Sequence, residues 1–131
     1  MKTTIVHAIV LATTFASSLV VAGEAAESLL ETYRGDLGAQ FAFDAEDGKA
    51  FWYAEHNGHS CATCHGDTPR EEGRHTRTGK TIDPMAPTVN PERFRDADKV
   101  EKWFLRNCKW TVGRECTTAE KGNMLEWLIQ Q

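Results

Sequence analysis

The chain has 131 residues, 40% of them apolar and 26% charged, with a formal net charge of −4. That length fits one small domain once a leader is removed. The acidic balance argues against the basic surface of a nucleic-acid-binding protein, so we expect no nucleic acid as a partner. Four cysteines, at positions 61, 64, 108 and 116, are the residues most informative about chemistry.

Residues 1–22 have the pattern of a secretory signal peptide. Lys2 is followed by an apolar run over residues 5–21, and Val20-Val21-Ala22 offers the small residues that signal peptidase requires. The run is shorter than a typical membrane-spanning helix, although an uncleaved anchor stays an alternative. Cleavage would leave a domain of residues 23–131 with 14 Lys and Arg against 19 Asp and Glu. We therefore predict an exported protein.

An extra N-terminal helix is predicted within residues 23–40. Apolar residues recur at helical spacing from residue 28 onward, and the helix is expected to end near Gly35 or Gly38. The residues that form this stripe are Leu29, Leu30, Tyr33 and Leu37.

A second helix is predicted to begin at Asp44, a good N-cap residue, with Asp47 in its first turn. It should carry Gly48 and Trp52 and run into the cysteine motif after it. The small Gly48 beside aromatic side chains would allow another helix to cross closely.

The motif Cys61-Ala62-Thr63-Cys64-His65 carries the strongest chemical signal of the chain. Residues three apart on a helical turn share one face, so both sulfurs can reach the two vinyl groups of one porphyrin. His65 would then lie beneath the iron as its proximal ligand. A C-x-x-C-H motif is typical of covalent haem c attachment.

The cysteine pair has two other possible interpretations. A redox-active pair would come after a strand in a thioredoxin-like unit, whereas the preceding residues 55–60 have the composition of a polar loop. A zinc site needs a second ligand pair at short spacing, but Cys108 and Cys116 are eight positions apart and far downstream. Haem c attachment in an exported protein indicates a bacterial periplasm, whose oxidising conditions favour a disulfide between Cys108 and Cys116.

Residues 66–90 are predicted to form a long loop that wraps the haem, with Pro84-Met85-Ala86-Pro87 as its stiff apolar part. A third helix should start after Asp96 and end at about Asn107. Its apolar stripe, Val100, Trp103 and Phe104, continues to Asn107 on the same face.

The last helix is predicted to open with a capping box, in which Thr117 and Glu120 satisfy each other's backbone N–H groups. Its apolar residues include Met124, Leu125 and Trp127. This helix is the expected partner for the crossing at Gly48, which resembles the contact between the N- and C-terminal helices of class I cytochromes c.

Several residues are candidates for the sixth iron ligand. Met85 lies in a sequence similar to a methionine loop, but it precedes the third helix, whereas the methionine loop of class I cytochromes c comes after that helix. Asn107 lies in the expected position for a distal ligand, although Asn also serves as a helix C-cap. Met124 is better explained by core packing. His56, His59 and His75 would make a bis-histidine site, with surface positions as the simpler explanation.

Three stretches, residues 78–87, 100–108 and 113–117, resemble the sphaeroides haem protein family of monohaem cytochromes c. The resemblance extends from about Phe41 to the C-terminus. It implies an all-α, class I cytochrome c-like fold, with three to five helices around one covalently bound haem c.

The same resemblance implies roles for individual residues and partners. Cys61 and Cys64 would hold the haem, with His65 proximal. Asn107 would be a sixth ligand that leaves on reduction and opens the iron to O2 or NO, beside a Cys108–Cys116 disulfide. The implied electron donor is a dihaem or multihaem cytochrome c, often linked to a membrane cytochrome b. Enzymatic oxygen reduction or NO oxidation is left open, and a His/Met electron shuttle with Met85 as ligand is the alternative.

Overall fold

Five α-helices and one two-stranded antiparallel sheet make up residues 24–131, the part of the chain that the computed structural model describes. The predicted signal segment, residues 1–22, lies outside it. Over the described residues, no helix combines the length and apolar character needed to cross a membrane. In chain order the elements are α1 (Glu24–Leu37), α2 (Ala45–Tyr53), α3 (Ala62–His65), β1 (Gly73–Arg74), β2 (Thr81–Ile82), α4 (Ala97–Thr111) and α5 (Thr118–Ile129).

The predicted helix starts are confirmed by their caps. The Asp44 carboxylate accepts hydrogen bonds from the N–H groups of the first turn of α2, and Asp96 accepts one from Lys99 at the start of α4. Thr117 and Glu120 form the complete capping box of α5. Each cap satisfies N–H groups that have no partner inside the helix, so local sequence fixes where these helices begin.

The predicted close crossing of α2 and α5 is also present. A Cβ atom at Gly48 would overlap the backbone carbonyl of Asn123, so only glycine permits this approach. The Asn123 side-chain oxygen accepts a hydrogen bond of 2.9 Å from the Asp44 backbone N–H. Trp52 of α2 packs edge-to-face on Trp127 of α5, with 5.3 Å between ring centroids. The two helices therefore form the core that supports the cysteine motif.

The N-terminal helix α1 is held to α4 and α5 by a three-residue cluster. The Tyr33 hydroxyl donates to the Glu101 carboxylate, and Lys121 Nζ lies 2.8 and 3.0 Å from the same carboxylate oxygens. Lys121 Nζ also lies 4.7 Å from the Tyr33 ring centroid. Burial, together with the hydrogen bond to Glu101, raises the pKa of Tyr33 well above its usual range. The cluster thus anchors the extra helix through one shared carboxylate.

Three details differ from the sequence predictions. Helix α2 ends at Tyr53 and does not run into the cysteine motif, because His56 and His59 pair their backbones around a tight turn. Residues 66–90 are not wholly irregular, since β1 pairs with β2. Helix α4 continues to Thr111, four residues beyond the predicted end, and stops before Gly113, whose φ is +81°.

Candidate haem site

The cysteine motif forms a single helical turn. The backbone N–H of His65 donates to the Cys61 carbonyl at 3.0 Å, and the turn stops at Gly66, whose φ is +87°. Cys61 and Cys64 are both free thiols and both half-buried. Because they are three residues apart on this turn, the two sulfurs lie on the same side of it.

Strand β1 packs directly against this turn. A Cβ atom at Gly73 would overlap the Cys64 carbonyl and would lie 2.7 Å from the Cα atom of His65. Sequence analysis did not single out Gly73, since nothing but its position after the motif distinguishes it. A cavity of about 410 Å³, partly lined by Cys64, Gly73, Arg74 and Thr81, borders the turn on this side. The close contact with β1 fixes the backbone of the two residues that end the motif.

His65 has the environment of a metal ligand. Its ring lies 5.5 Å from the Trp52 ring, and its Nδ1 is buried with no hydrogen-bond partner among residues 24–131. Burial lowers the pKa of His65 to about 4, assisted by unfavourable electrostatic interactions with Arg93 and His75. The imidazole is therefore neutral at physiological pH, and the neutral form is the one that binds a metal.

The thiols also fit covalent haem attachment. Burial raises the pKa of Cys61 to about 11, with its own backbone hydrogen bond opposing this and the neighbouring Cys64 adding to it. Cys61 is thus a protonated thiol that forms no disulfide in the described chain. Within residues 24–131 no group of three or more His, Cys, Asp or Glu comes together as a metal site, so the zinc interpretation has no support from the structure. Two free thiols and a neutral imidazole on one turn suit a haem c.

Asn107 lies on α4 with its side chain exposed, and no hydrogen bond engages that side chain among residues 24–131. The cap of α4 is at Val112, so the C-cap explanation for Asn107 is wrong. Trp110, one turn further along α4, stacks on His59 with 4.3 Å between ring centroids. The end of α4 that carries Asn107 therefore packs against the segment leading into Cys61. Trp110 lies beyond the predicted end of this helix, so its contact with His59 is not predictable from the sequence.

The sulfurs of Cys108 and Cys116 lie within bonding distance, with their Cα atoms 5.6 Å apart. Cys108 is buried and comes directly after Asn107. The pair joins the last turn of α4 to the residue that precedes the cap of α5. This arrangement fastens the backbone beside Asn107 to the rest of the domain.

Three of the other ligand candidates, Met85, Met124 and His75, have structural roles. The backbone N–H of Met85 donates to the Pro69 carbonyl at 2.8 Å, and its side chain packs against the core. Met124 is buried in that core, as expected. His75 Nδ1 accepts hydrogen bonds from the backbone N–H groups of Arg77 and Thr78. Met85, Met124 and His75 thus have contacts elsewhere, whereas the Asn107 side chain makes no hydrogen bond in the described chain.

His56 and His59 are less completely explained. His56 Nε2 and His59 Nδ1 are buried without a partner among the described residues, while their backbones pair across the turn before Cys61. The His56 ring lies 5.7 Å from Phe51. Both imidazoles are therefore packed against aromatic rings.

Arg93 is a residue of the site that sequence analysis missed. Its guanidinium donates to the Pro84 carbonyl at 2.7 Å and to the Asp83 carbonyl at 2.5 Å. Burial lowers the pKa of Arg93, while the charge of Asp83 opposes the change. It thus holds the start of the segment that contains Met85. No local pattern distinguishes it from the other arginines of the chain.

The sequence of this chain is similar to those of known proteins. The family described as Domain of unknown function (DUF1924) matches residues 38–128. The cytochrome c-type protein SHP of Cereibacter sphaeroides is 44% identical over 108 residues, which cover 79% of this chain and 81% of that protein.

Solved structures show the same fold. The structure of oxidized SHP, an oxygen-binding cytochrome c, matches with a TM-score of 0.74 at 41% identity, covering 81% of this chain and 96% of that one. The solution structure of Methylophilus methylotrophus cytochrome c'', which concerns haem-ligand detachment, has a TM-score of 0.72 at 33% identity and covers 83% of this chain and 95% of that one.

The predicted class I cytochrome c-like fold is thereby confirmed. The chain belongs to the DUF1924 family and to the sphaeroides haem proteins, and it is a monohaem cytochrome with one covalently bound haem c.

Proposed function

We propose that this protein is an exported electron-transfer cytochrome whose sixth ligand, Asn107, leaves on reduction and admits O2 or NO. Cys61 and Cys64 hold the haem through thioether bonds, and His65 is the proximal ligand. When bound, the haem supplies an iron that exchanges one electron and offers a sixth coordination position. SHP is described as oxygen-binding and cytochrome c'' as showing haem-ligand detachment, which supports a displaceable ligand here.

The observation that carries the proposal is the state of the Asn107 side chain. It is exposed and uncommitted within the described chain, on a helix whose end packs through Trp110 against the segment before Cys61. An amide oxygen is a hard, weak, neutral donor, so it should bind ferric iron better than the softer ferrous iron. Once released, the amide would be free to donate a hydrogen bond to an entering O2 or NO.

Two further residues complete the proposal. A Cys108–Cys116 disulfide tethers the backbone next to Asn107, so that the side chain moves while the helix stays in place.

The electron donor we propose is a dihaem or multihaem cytochrome c, which can itself be linked to a membrane cytochrome b. Reduction by such a donor should be seen in stopped-flow mixing, and a rate no faster than with an unrelated cytochrome would reject it.

The ligand assignment is tested by comparing Asn107→Ala with Met85→Ala. We expect Asn107→Ala to convert the oxidised protein from low-spin to high-spin, because it removes the sixth ligand. Met85→Ala should leave the spin state unchanged, since Met85 packs in the core. Optical and electron paramagnetic resonance spectra of both variants give the answer. The reverse pattern would assign the ligand to Met85 and support the His/Met electron shuttle.

A further inference from the structure

Aromatic rings form a continuous series from the proximal histidine to the protein surface. The His65 ring lies 5.5 Å from Trp52, Trp52 lies 5.3 Å from Trp127, and Trp127 lies 6.3 Å from Tyr53. The two tryptophans are 2% and 5% exposed, whereas Tyr53 is 43% exposed. The series therefore begins at the metal ligand, passes through the core and ends in solvent.

The surroundings of Trp52 and Tyr53 suit the passage of an electron. Trp52 Nε1 donates to the Gly66 carbonyl at 3.2 Å, and a carbonyl oxygen is not a base. An oxidised Trp52 would therefore keep its proton and stay strongly oxidising. Tyr53 donates its hydroxyl to the Asp67 carbonyl and faces water, where the phenolic proton is readily lost on oxidation. Oxidising equivalents should therefore move outward and come to rest on Tyr53.

We propose that Tyr53, Trp127 and Trp52 form a path that delivers one electron to the haem site when the reduced protein meets a peroxide. The proposal goes beyond the proposed function but rests on it, because it requires a bound haem whose reduced form admits a small oxygen ligand. Hydrogen peroxide is the two-electron reduction product of O2, so a reducing centre open to O2 is exposed to it. The path would protect the core by moving the oxidising equivalent to the surface.

The step balances in electrons and protons. Cleavage of the O–O bond of one hydrogen peroxide to give two waters consumes two electrons and two protons. One electron is the one stored in the reduced protein, which returns to the ferric state. Tyr53 gives the second electron together with its phenolic proton and is left as a neutral phenoxyl radical. The other proton comes from solvent.

The chain has only two tyrosines, which gives a matched control. Tyr33 is 3% exposed and bonded to Glu101, and no ring contact of the described residues joins it to the series. Reduced holoprotein would be mixed with hydrogen peroxide without O2 and freeze-quenched for electron paramagnetic resonance. Because Tyr53 is exposed, its radicals should also couple between molecules, and the dityrosine link can be mapped by mass spectrometry.

We expect a tyrosyl signal and a Tyr53–Tyr53 link in the wild type and in Tyr33→Phe. Both should be lost in Tyr53→Phe, and both should decrease in Trp127→Phe, which keeps a ring at that position but one that is hard to oxidise. A signal that survives in Tyr53→Phe, or that is unaffected in Trp127→Phe, would overturn the path. CO binding is measured on the same reduced samples. Normal CO binding without any tyrosyl radical would reject the electron path alone. Absence of CO binding would reject the proposed function and, with it, the path.

Discussion

At the scale of single residues, the site contains polar side chains that make no hydrogen bond to other described residues. His65 Nδ1 is buried without a partner in the described chain, and the Asn107 amide is likewise unengaged there. A buried polar atom without a hydrogen bond is costly, so its presence calls for an explanation. A buried, neutral imidazole with no other role suits metal ligation, and this accounts for the placement of the His65 ring. Nearby Met85 and His75, by contrast, are occupied by packing and by turn hydrogen bonds.

Glu120 makes the stability of the domain depend on pH. Hydrogen bonds from Arg114 are the main cause that lowers the pKa of Glu120 to about 2, and capping contacts with Thr117 add to it. The unfolded value is about 4.3, so the folded state is favoured by the ionised carboxylate above that pH. The contribution should be lost as the pH falls from about 4.3 towards 2. It should be modest, because Arg114 is exposed and solvent screens the pair.

The measurement is urea unfolding of the oxidised holoprotein between pH 5 and pH 2. This interval covers the range of about 4.3 to 2 over which the stabilising contribution of Glu120 should be lost. Glu120→Gln should lose less stability than the wild type over this interval, while Glu126→Gln on the same helix should behave like the wild type. Equal pH slopes for Glu120→Gln and the wild type would contradict this role of Glu120.

At the scale of secondary-structure elements, the crossing of α2 and α5 supports the turn that carries Cys61 to His65. Gly48 lies against the backbone of Asn123, which cannot move aside as a side chain would. Gly48→Ala should therefore destabilise the protein by about 1 to 3 kcal/mol or more through overpacking. Gly35→Ala is the matched control, because Gly35 lies in helix α1 with open space around it.

Gly35→Ala should change stability by at most about 1 kcal/mol, and in the stabilising direction, through helix propensity. Urea midpoints monitored by circular dichroism compare the two variants. If both changed stability by the same small amount, the close approach at Gly48 would not be a constraint.

The elements also show which features could be predicted from sequence. Caps such as Asp44 and Thr117 act within a few residues, so the starts of the helices were predictable. The end of α4 was not, because the backbone beyond Asn107 is set by contacts distant in sequence, the Cys108–Cys116 pair and the Trp110–His59 stack. The two-residue strands carry no periodicity, and their pairing depends on contacts that a sequence window does not contain.

The residues of the site also include some that can be predicted from the sequence and some that cannot. The Cys61 to His65 motif was recognisable because its chemistry is local. Asn107 was proposed from helix periodicity and family resemblance, whereas Arg93 and Gly73 act only through three-dimensional neighbours. Long-range contacts of this kind leave no pattern in a single sequence.

At the scale of the whole molecule, two covalent features of the mature chain can be predicted. We predict that the mature protein begins at Gly23 after removal of residues 1–22, and that Cys108 is linked to Cys116, a bridge worth about 2 to 3 kcal/mol in the chain-entropy model. Intact-mass and peptide analysis of exported, unreduced protein measures both. Retention of Met1, or alkylation of either cysteine without reduction, would contradict the expected export into an oxidising compartment.

The displaceable sixth ligand is tested most directly by the spectrum of the reduced holoprotein with and without CO. We predict that the ferrous protein is high-spin and binds CO readily, because the Asn107 amide no longer holds the sixth position. A ferrous protein that stays low-spin and does not bind CO would show a permanent ligand and would contradict the central claim.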